Sequence, residues 1–150
     1  MKLSLVSTAA AAVVLLGSAS VYAENATGVV AYRQAVMKSF GAHTAAIKSI
    51  LTEQTQPLDQ VVPHAEAISS LASHLPAMFP AGSDSGETYA LPSIWEKPDE
   101  FKSDSDVLAE LSADLAEAAT GGDAQATLAA FAKMGKEGCG ECHGDFRKKD

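Results

Sequence analysis

Two cysteines and a histidine near the end of the chain are the residues best suited to carry chemistry. Cys139 and Cys142 are separated by two residues, and His143 follows directly. On a helix these side chains lie at positions i, i+3 and i+4, so they share one face within about one turn. The pattern Cys-x-x-Cys-His is the attachment signature of c-type haem, in which both thiols bond to the porphyrin and the imidazole binds the iron. The motif predicts one covalently bound haem c.

Two other kinds of site also use a Cys-x-x-Cys pair. A zinc site needs further ligands, usually from a second pair. The chain has no other cysteine, and His43, His64 and His74 stand apart in the sequence without forming a second cluster. A thioredoxin-type pair is expected after a strand and at the start of a helix, whereas here a long helical pattern runs into Cys139. Haem attachment is therefore the preferred interpretation, and a zinc or dithiol protein without haem is the alternative.

The first 23 residues have the features of a secretory signal peptide. Lys2 supplies a positive charge, a largely apolar stretch runs from Leu3 to Leu16, and Val21-Tyr22-Ala23 is a small-x-small cleavage site. The apolar stretch is shorter than the roughly 20 residues that a membrane-spanning helix needs. We expect cleavage after Ala23 and export to the periplasm, where the thiols stay reduced until haem is attached.

Residues 24–150 then form one haem-binding domain with an acidic surface. Loss of Lys2 with the signal leaves 10 of the 11 basic residues against 19 acidic ones, a formal charge of about −9. Nucleic acid and anionic membranes are poor partners for such a surface. The sequence also lacks the residue groups typical of an enzyme, such as a nucleophile with its base, a phosphate loop or paired carboxylates. We therefore expect a protein that is not an enzyme.

The periodicity of apolar residues predicts an all-α fold with four helices. The first runs from about Asn25 to Thr52, the second starts near Asp59 as its N-cap with Pro63 in the first turn, the third spans Asp99 to Thr120, and the fourth follows Asp123 into the haem motif. The long connection from Pro76 to Pro98 is predicted to pack its aromatic residues beside the core. An antiparallel up-and-down four-helix bundle follows from these elements. The stripe predicted to face inward on the first helix is Val29, Tyr32, Val36, Phe40, Ile47 and Leu51.

Three stretches together resemble a known family. They are the C-terminal Cys-x-x-Cys-His, the run Tyr32-Arg33-Gln34-Ala35-Val36-Met37 in the first helix, and Pro92-Ser93-Ile94-Trp95 before the third. In this arrangement the chain resembles the class II c-type cytochromes, the cytochrome c′ family, over essentially its whole mature length. The position of the haem motif, together with Arg33-Gln34, makes the resemblance specific.

The resemblance implies that the first helix crosses the distal face of the haem. Arg33 and Gln34 would approach a haem propionate, and Met37 would lie over the iron. The spacing agrees, because Arg33 and Gln34 precede Met37 by four and three residues and so share its face. Arg147 follows His143 by four residues. The resemblance implies that a basic residue at this position lies near the proximal imidazole and tunes its basicity. The haem is expected among four aromatic side chains, those of Tyr32, Phe40, Phe131 and Phe146.

Met37 separates two expected functions. If its sulfur is the sixth ligand, the resemblance implies a low-spin protein that carries electrons between redox proteins, and this is the preferred prediction. If it does not coordinate, the resemblance implies a five-coordinate, high-spin haem protein that binds nitric oxide or carbon monoxide. The family also makes a homodimer through the first two helices plausible.

Overall fold

The computed structural model describes residues 18–149, and the side chains from residue 28 onwards. In this part of the chain there are six α-helices: α1 (Ser18–Glu53), α2 (Val61–Ala72), α3 (Ser93–Glu96), α4 (Pro98–Thr120), α5 (Ala124–Lys133) and α6 (Glu141–Phe146). Short 3-10 helices lie on either side of α2, at Leu58–Gln60 and Leu75–Met78. A π-helical segment, Met134–Gly140, joins α5 to α6. Residues 1–17 of the predicted signal peptide fall outside the described residues, and the predicted cleavage site lies in α1.

Four long helical runs form the body of the molecule. They are α1, α2, α4 and a C-terminal helix that we define as α5, the π-helical segment and α6 together (residues 124–146). The most extensive packing joins α2 to α4, while α1 packs on α2 and the C-terminal helix packs on α4. The predicted all-α four-helix bundle is confirmed. Over residues 18–149 no helix is both long and apolar enough to cross a membrane.

The ends of the helices follow mostly from local sequence. Asp123 caps α5, and its carboxylate accepts hydrogen bonds from the backbone N–H groups of Gln125 and Ala126 at 2.9 and 3.1 Å. Gly122 has a φ of 75°, a conformation that glycine adopts without strain, and it ends the turn after α4. The prediction of Asp59 as the N-cap of α2 is wrong. A 3-10 turn precedes the helix, and Gln60 occupies the N-cap without a side-chain hydrogen bond.

The inward face of α1 agrees with the predicted stripe at Val36 and Ile47, which are buried, and differs from it at Tyr32. Tyr32, placed on the inner stripe by its apolar character, is 55 % exposed, whereas the neighbouring Arg33 is only 2 % exposed. His43 also lies partly buried close to this face, between Phe40 and Ile47 of the predicted stripe. The periodicity of apolar residues could not include Arg33 and His43 in this face, because both side chains are polar. The buried apolar members of α1 are Val30, Val36, Ile47 and Ile50.

The connection from residue 76 to residue 98 packs on the core as predicted. Met78 and Ile94 are buried in the main cluster. The indole N–H of Trp95 donates to the carbonyls of Phe79 and Pro80 at 3.1 and 3.0 Å. The Phe79 ring lies edge-on to that of Phe101, with centroids 4.9 Å apart. These contacts hold the connection against α4 and so give it a defined position between α1 and the C-terminal helix.

Candidate haem site

The proximal side of the site is the C-terminal helix. Cys139 lies near the end of the π-helical segment, and Cys142 and His143 lie in α6, so all three belong to one continuous helical run. Both thiols are free, partly buried and packed against the hydrophobic core, while His143 reaches solvent. The π-helical segment was not predicted. Such segments, with hydrogen bonds from i to i+5, occur often at functional sites, and this one sets the register of the residues that follow it.

Gly138 brings the C-terminal helix unusually close to α4 next to Cys139. A Cβ added at Gly138 would lie 2.9 Å from Cδ1 and 3.3 Å from Cα of Leu108. No side chain larger than hydrogen fits there without a shift of Leu108. The glycine therefore fixes how deep the helix sits beside α4, and with it the position of the first thiol.

The surroundings of the thiols hold them in the neutral form. Burial raises the pKa of Cys139. For Cys142 burial, followed by the negative charge of Asp104, raises the pKa to about 12. A redox-active dithiol needs a lowered pKa, so this environment does not favour the dithiol alternative. Among residues 18–149 no group of three or more His, Cys, Asp or Glu side chains is placed to hold a metal ion, so the zinc alternative lacks its further ligands in that range.

The electrostatics of His143 suit an iron ligand. Partial burial lowers the pKa of its imidazole, and the positive charge of Arg147 lowers it further. A lowered pKa keeps the ring neutral at neutral pH, and only the neutral ring has a lone pair to offer a metal. Arg147 itself lies over the ring of Tyr89, with 5.5 Å from the guanidinium carbon to the ring centroid.

The side predicted to be distal lies on α1 around Arg33. Its guanidinium donates through Nη1 to Ser83 Oγ and through Nη2 to Thr88 Oγ1, each at 3.0 Å. The same group lies over the rings of Phe79 and Trp95, 4.8 and 5.5 Å from their centroids. The guanidinium is thus held in one orientation by two hydroxyls and two aromatic faces.

Met37 lies one helical turn beyond Arg33. Its side chain is partly buried and packs against the same hydrophobic cluster as Cys139 and Cys142. The three residues approach that cluster from different helices, since Met37 is on α1. Phe40 and Phe131 are also partly buried, and Phe146 is buried.

One atom of Arg33 has no protein partner. Nε is buried and has no hydrogen-bond acceptor among the described atoms. Desolvation by burial lowers the pKa of the guanidinium, an effect that Asp84 partly offsets, but an arginine remains charged. Leaving a buried donor unsatisfied costs roughly 1–3 kcal/mol, and more for a charged group. A carboxylate at this point would accept from Nε and neutralise the charge, so the residues present fit a haem propionate.

The connection between α2 and α4 ties the two sides together. Gln34 Nε2 donates to the backbone carbonyl of Glu87 at 2.8 Å. Beyond the haem motif, Lys148 donates through Nζ to the Thr88 carbonyl at 3.2 Å and through its backbone N–H to the Tyr89 carbonyl at 2.8 Å. Thr88 therefore contacts both α1 and the C-terminal segment. Sequence reasoning missed Ser83 and Thr88, because small hydroxyl residues in a turn carry no local signal of a distant arginine.

Two of the histidines, His43 and His64, lie next to each other in the folded chain. The Nδ1 atoms of His43 on α1 and His64 on α2 lie 2.9 Å from each other. The expectation that the histidines form no cluster is wrong for this pair, because the packing of α1 on α2 closes a gap of 21 residues. His74 is separate, and its Nδ1 lies 2.8 Å from the carbonyl of Ser70.

A four-helix bundle with Cys-x-x-Cys-His in its last helix is the arrangement of c-type cytochromes built on four helices. Residues 28–147 match the family model described as cytochrome C′. The cytochrome c′ of Pararhodospirillum photometricum is 38 % identical over 120 residues, which cover 79 % of this chain and 95 % of that protein. The chain belongs to the cytochrome c′ family. Proteins of this family bind one covalent haem c, so the haem prediction is confirmed at the level of the family.

Solved structures give the same assignment. Cytochrome c′ from Thermochromatium tepidum superimposes with a TM-score of 0.75 at 27 % identity, covering 83 % of this chain and 97 % of that one. A nitric oxide complex of a variant cytochrome c prime from Alcaligenes xylosoxidans superimposes with a TM-score of 0.73, also at 27 % identity, with 83 % and 97 % covered. The resemblance first read from the residues is therefore confirmed by sequence and by fold.

Proposed function

We propose that this protein carries single electrons between redox proteins. One haem c is attached through Cys139 and Cys142, and its iron is ligated by His143 and Met37. The observation that carries the proposal is the shared packing of Met37 and the two thiols against one hydrophobic cluster from different helices. A haem joined to the thiols would be held by Cys139, Cys142 and His143, and Met37 would offer its iron a thioether sulfur.

Histidine–methionine ligation suits electron transfer. It raises the reduction potential, and an iron held in one geometry in both oxidation states changes little when it gains or loses an electron. The lowered pKa of His143 keeps its imidazole ring neutral, which supports its role as ligand. The lone pair of the Met37 sulfur does not titrate in the physiological range, so this ligand is present at any working pH.

Arg33 and Gln34 are proposed to hold a haem propionate. The unsatisfied Nε of Arg33 is a donor available for a carboxylate, while each Nη already gives one of its two N–H groups to Ser83 or to Thr88. Gln34 Nε2 bonds to Glu87, which places its amide beside the same connection. Arg33 would thus neutralise buried negative charge, and the aromatic rings around it would exclude water.

The acidic composition bears on the choice of partner. The chain carries 19 acidic residues against 11 basic ones. Oppositely charged surfaces speed up the encounter of two proteins, and salt weakens this effect. We therefore propose basic docking surfaces on the electron donor and acceptor, with association rates that fall as ionic strength rises.

The deciding experiment is the optical spectrum of the holoprotein in both oxidation states. With Met37 bound, the oxidised form shows a sulfur-to-iron band in the far red, and the reduced form shows sharp low-spin bands. Met37→Leu removes the sulfur while keeping the volume of the side chain nearly constant, so it should abolish that band and give a high-spin spectrum. Met78→Leu is the matched control, because it makes the same substitution at a methionine that is buried in the core outside α1. A spectrum that Met37→Leu leaves unchanged contradicts the ligand assignment.

The second candidate function is the binding of nitric oxide or carbon monoxide. It is favoured by the nitric oxide complex of the structurally similar cytochrome c prime from Alcaligenes xylosoxidans. This function requires an open or easily vacated distal position. Carbon monoxide added to the ferrous holoprotein discriminates between the two: rapid, complete uptake supports gas binding, and absence of uptake supports electron transfer.

We also propose that the protein acts in the periplasm after removal of residues 1–23. The support is the signal-like pattern of the first 23 residues together with the need for haem attachment outside the cytoplasm. The amino-terminal sequence of the purified holoprotein should begin at Glu24. A haem-loaded protein that keeps Met1 would contradict export by this signal.

A further inference from the structure

A pair of imidazoles lies where α1 packs on α2, on a part of the molecule that the proposed function does not use. The Nδ1 atoms of His43 and His64 are 2.9 Å apart, and the ring centroids are 5.2 Å apart with the planes inclined at 57°. Both residues are partly buried. His43 follows Met37 by six residues, which is about 9 Å along the helix axis. The pair is therefore separate from the proposed iron ligand.

His43 occupies a position in α1 where an apolar residue is expected. Counting from Val36, the residues at steps of four and three are Phe40, His43, Ile47 and Ile50, and all of them except His43 are hydrophobic. A helix packed on its neighbour buries this row. A polar group placed there needs a partner, and the partner in the structure is a second imidazole from α2. Two such rings facing each other across a helix interface form a pair of nitrogen donors.

The separation of the two Nδ1 atoms matches that of adjacent ligands on a metal ion. Imidazole nitrogens bind divalent metals at about 2.0–2.1 Å. Two ligands at 90° are then about 2.9 Å apart, whereas a tetrahedral angle requires about 3.3–3.4 Å. The observed 2.9 Å is an ordinary hydrogen-bond length, and it also fits the 90° arrangement. It matches the square-planar or tetragonal geometry typical of Cu²⁺ and Ni²⁺, and a tetrahedral Zn²⁺ would need the rings to separate.

In their neutral form the two imidazoles can both offer Nδ1 to a metal ion. Two neutral imidazoles in contact through Nδ1 share one N–H and one lone pair. When the donor ring moves its proton to Nε2, both Nδ1 atoms present lone pairs to the same point. A cation at about 2.0–2.1 Å from both nitrogens then lies to one side of the line that joins them.

We propose that His43 and His64 form a second metal site, separate from the haem, that binds Cu²⁺ in preference to Ni²⁺ and Zn²⁺. Imidazole is a ligand that suits all three ions, and affinity for a given nitrogen site is highest for Cu²⁺. Two protein ligands leave the remaining coordination positions to water. The site joins α1 to α2 through the metal as well as through packing.

The test is a titration of the haem-loaded protein with copper(II) sulfate in a buffer that does not bind metals, with a chelator of known affinity as competitor. We expect one equivalent of Cu²⁺ per chain. His43→Gln and His64→Gln should each weaken binding at least tenfold, because each leaves a single imidazole. His74→Gln is the matched control and should leave the affinity unchanged, since His74 is exposed and lies apart from the pair. The haem absorption spectrum of each variant reports that it is folded.

Electron paramagnetic resonance of the wild-type complex gives a readout that needs no variant. The copper signal should be that of a tetragonal site, with hyperfine splitting from two equatorial nitrogens. Binding that survives in both His43→Gln and His64→Gln, binding that His74→Gln abolishes, or a signal with fewer than two nitrogens would each mean adventitious copper only. Any of these results, or no stoichiometric binding, overturns the site and leaves the pair as a hydrogen bond between helices. None of these outcomes depends on whether Met37 binds the iron.

Discussion

The two sides of the haem site are assembled in different ways. On the proximal side Cys139, Cys142 and His143 lie within five consecutive residues of one helical run. On the distal side Arg33 depends on partners 50 and 55 residues further along the chain. The spacing of the proximal residues is therefore set within one helical run, whereas the distal side depends on contacts made in the completed fold. Damage to the first should abolish haem attachment, and damage to the second should produce graded losses of stability and of haem environment.

The largest effect is expected from the thiols. The double variant Cys139→Ala, Cys142→Ala removes both sulfurs that can bond to the porphyrin, so no haem should remain attached after denaturation. Haem staining of a denaturing gel measures this directly. Arg33→Ala is the comparison variant, and it should still carry covalent haem because the distal side plays no part in attachment. Haem that stays on the double variant would show that the proximal side is not built as described.

Arg33→Ala should give the largest loss of stability on the distal side. It removes hydrogen bonds to Ser83 and Thr88 and the stacking on Phe79 and Trp95, and it leaves a space in the core. We expect the free energy of unfolding to fall by about 2–4 kcal/mol. Denaturant unfolding of the holoprotein, followed by far-ultraviolet circular dichroism, measures it.

Gln34→Ala is the matched control for that experiment. Gln34 precedes Met37 on the same face but makes a single hydrogen bond in an exposed setting. Loss of this hydrogen bond should lower the free energy of unfolding by no more than about 1 kcal/mol. Equal losses in the two variants would show that Arg33 does not organise the distal side.

Gly138→Ala tests the packing of the proximal helix. The added methyl would lie 2.9 Å from Leu108 Cδ1, so the variant should lose about 1–3 kcal/mol of stability. Gly135→Ala, in the same π-helical segment, meets no heavy atom within 4 Å and should be neutral or stabilising by about 0.5 kcal/mol. Thermal unfolding of both variants measures the difference. A Gly138→Ala protein as stable as Gly135→Ala would mean that the close approach to α4 is not needed.

The smallest effect concerns Asp104 beside the thiols. Burial, then repulsion from Asp145, Glu141 and Glu100, raises its pKa above the ordinary 3.8. The folded state thus binds this proton more tightly than the unfolded state, and stability falls as pH rises from 3.8 through the raised pKa. Asp104→Asn should therefore gain stability at pH 7, with no gain below the ordinary pKa.

The expected gain from Asp104→Asn is about 0.3 kcal/mol, because the group is partly solvated and solvent screens its repulsions. Denaturant midpoints at pH 7 and at acidic pH measure it. Asp114→Asn, an exposed position on the same helix, is the control. A gain that is the same at both pH values would contradict the assigned cause.

Much of the fold could be predicted because its signals are local. The end of α4 at Thr120 and the start of the last helix after Asp123 were predicted, and the structure confirms both. The errors arise where the chain departs from local rules. Tyr32 was placed inside because it is apolar, yet the buried position belongs to Arg33, whose burial is possible only because distant hydroxyls and rings surround it.

The sequence by itself determined the family, the bundle and the Cys-x-x-Cys-His motif, because helix periodicity, caps and motif spacing act over a few residues. Only the tertiary structure decided which face of α1 is buried, that Ser83 and Thr88 hold Arg33, that the C-terminal helix contains a π-helical segment at Gly138, and that His43 meets His64. The physical reason is that these features depend on contacts between segments far apart in the chain. Such contacts form when helices pack, and no local pattern encodes them.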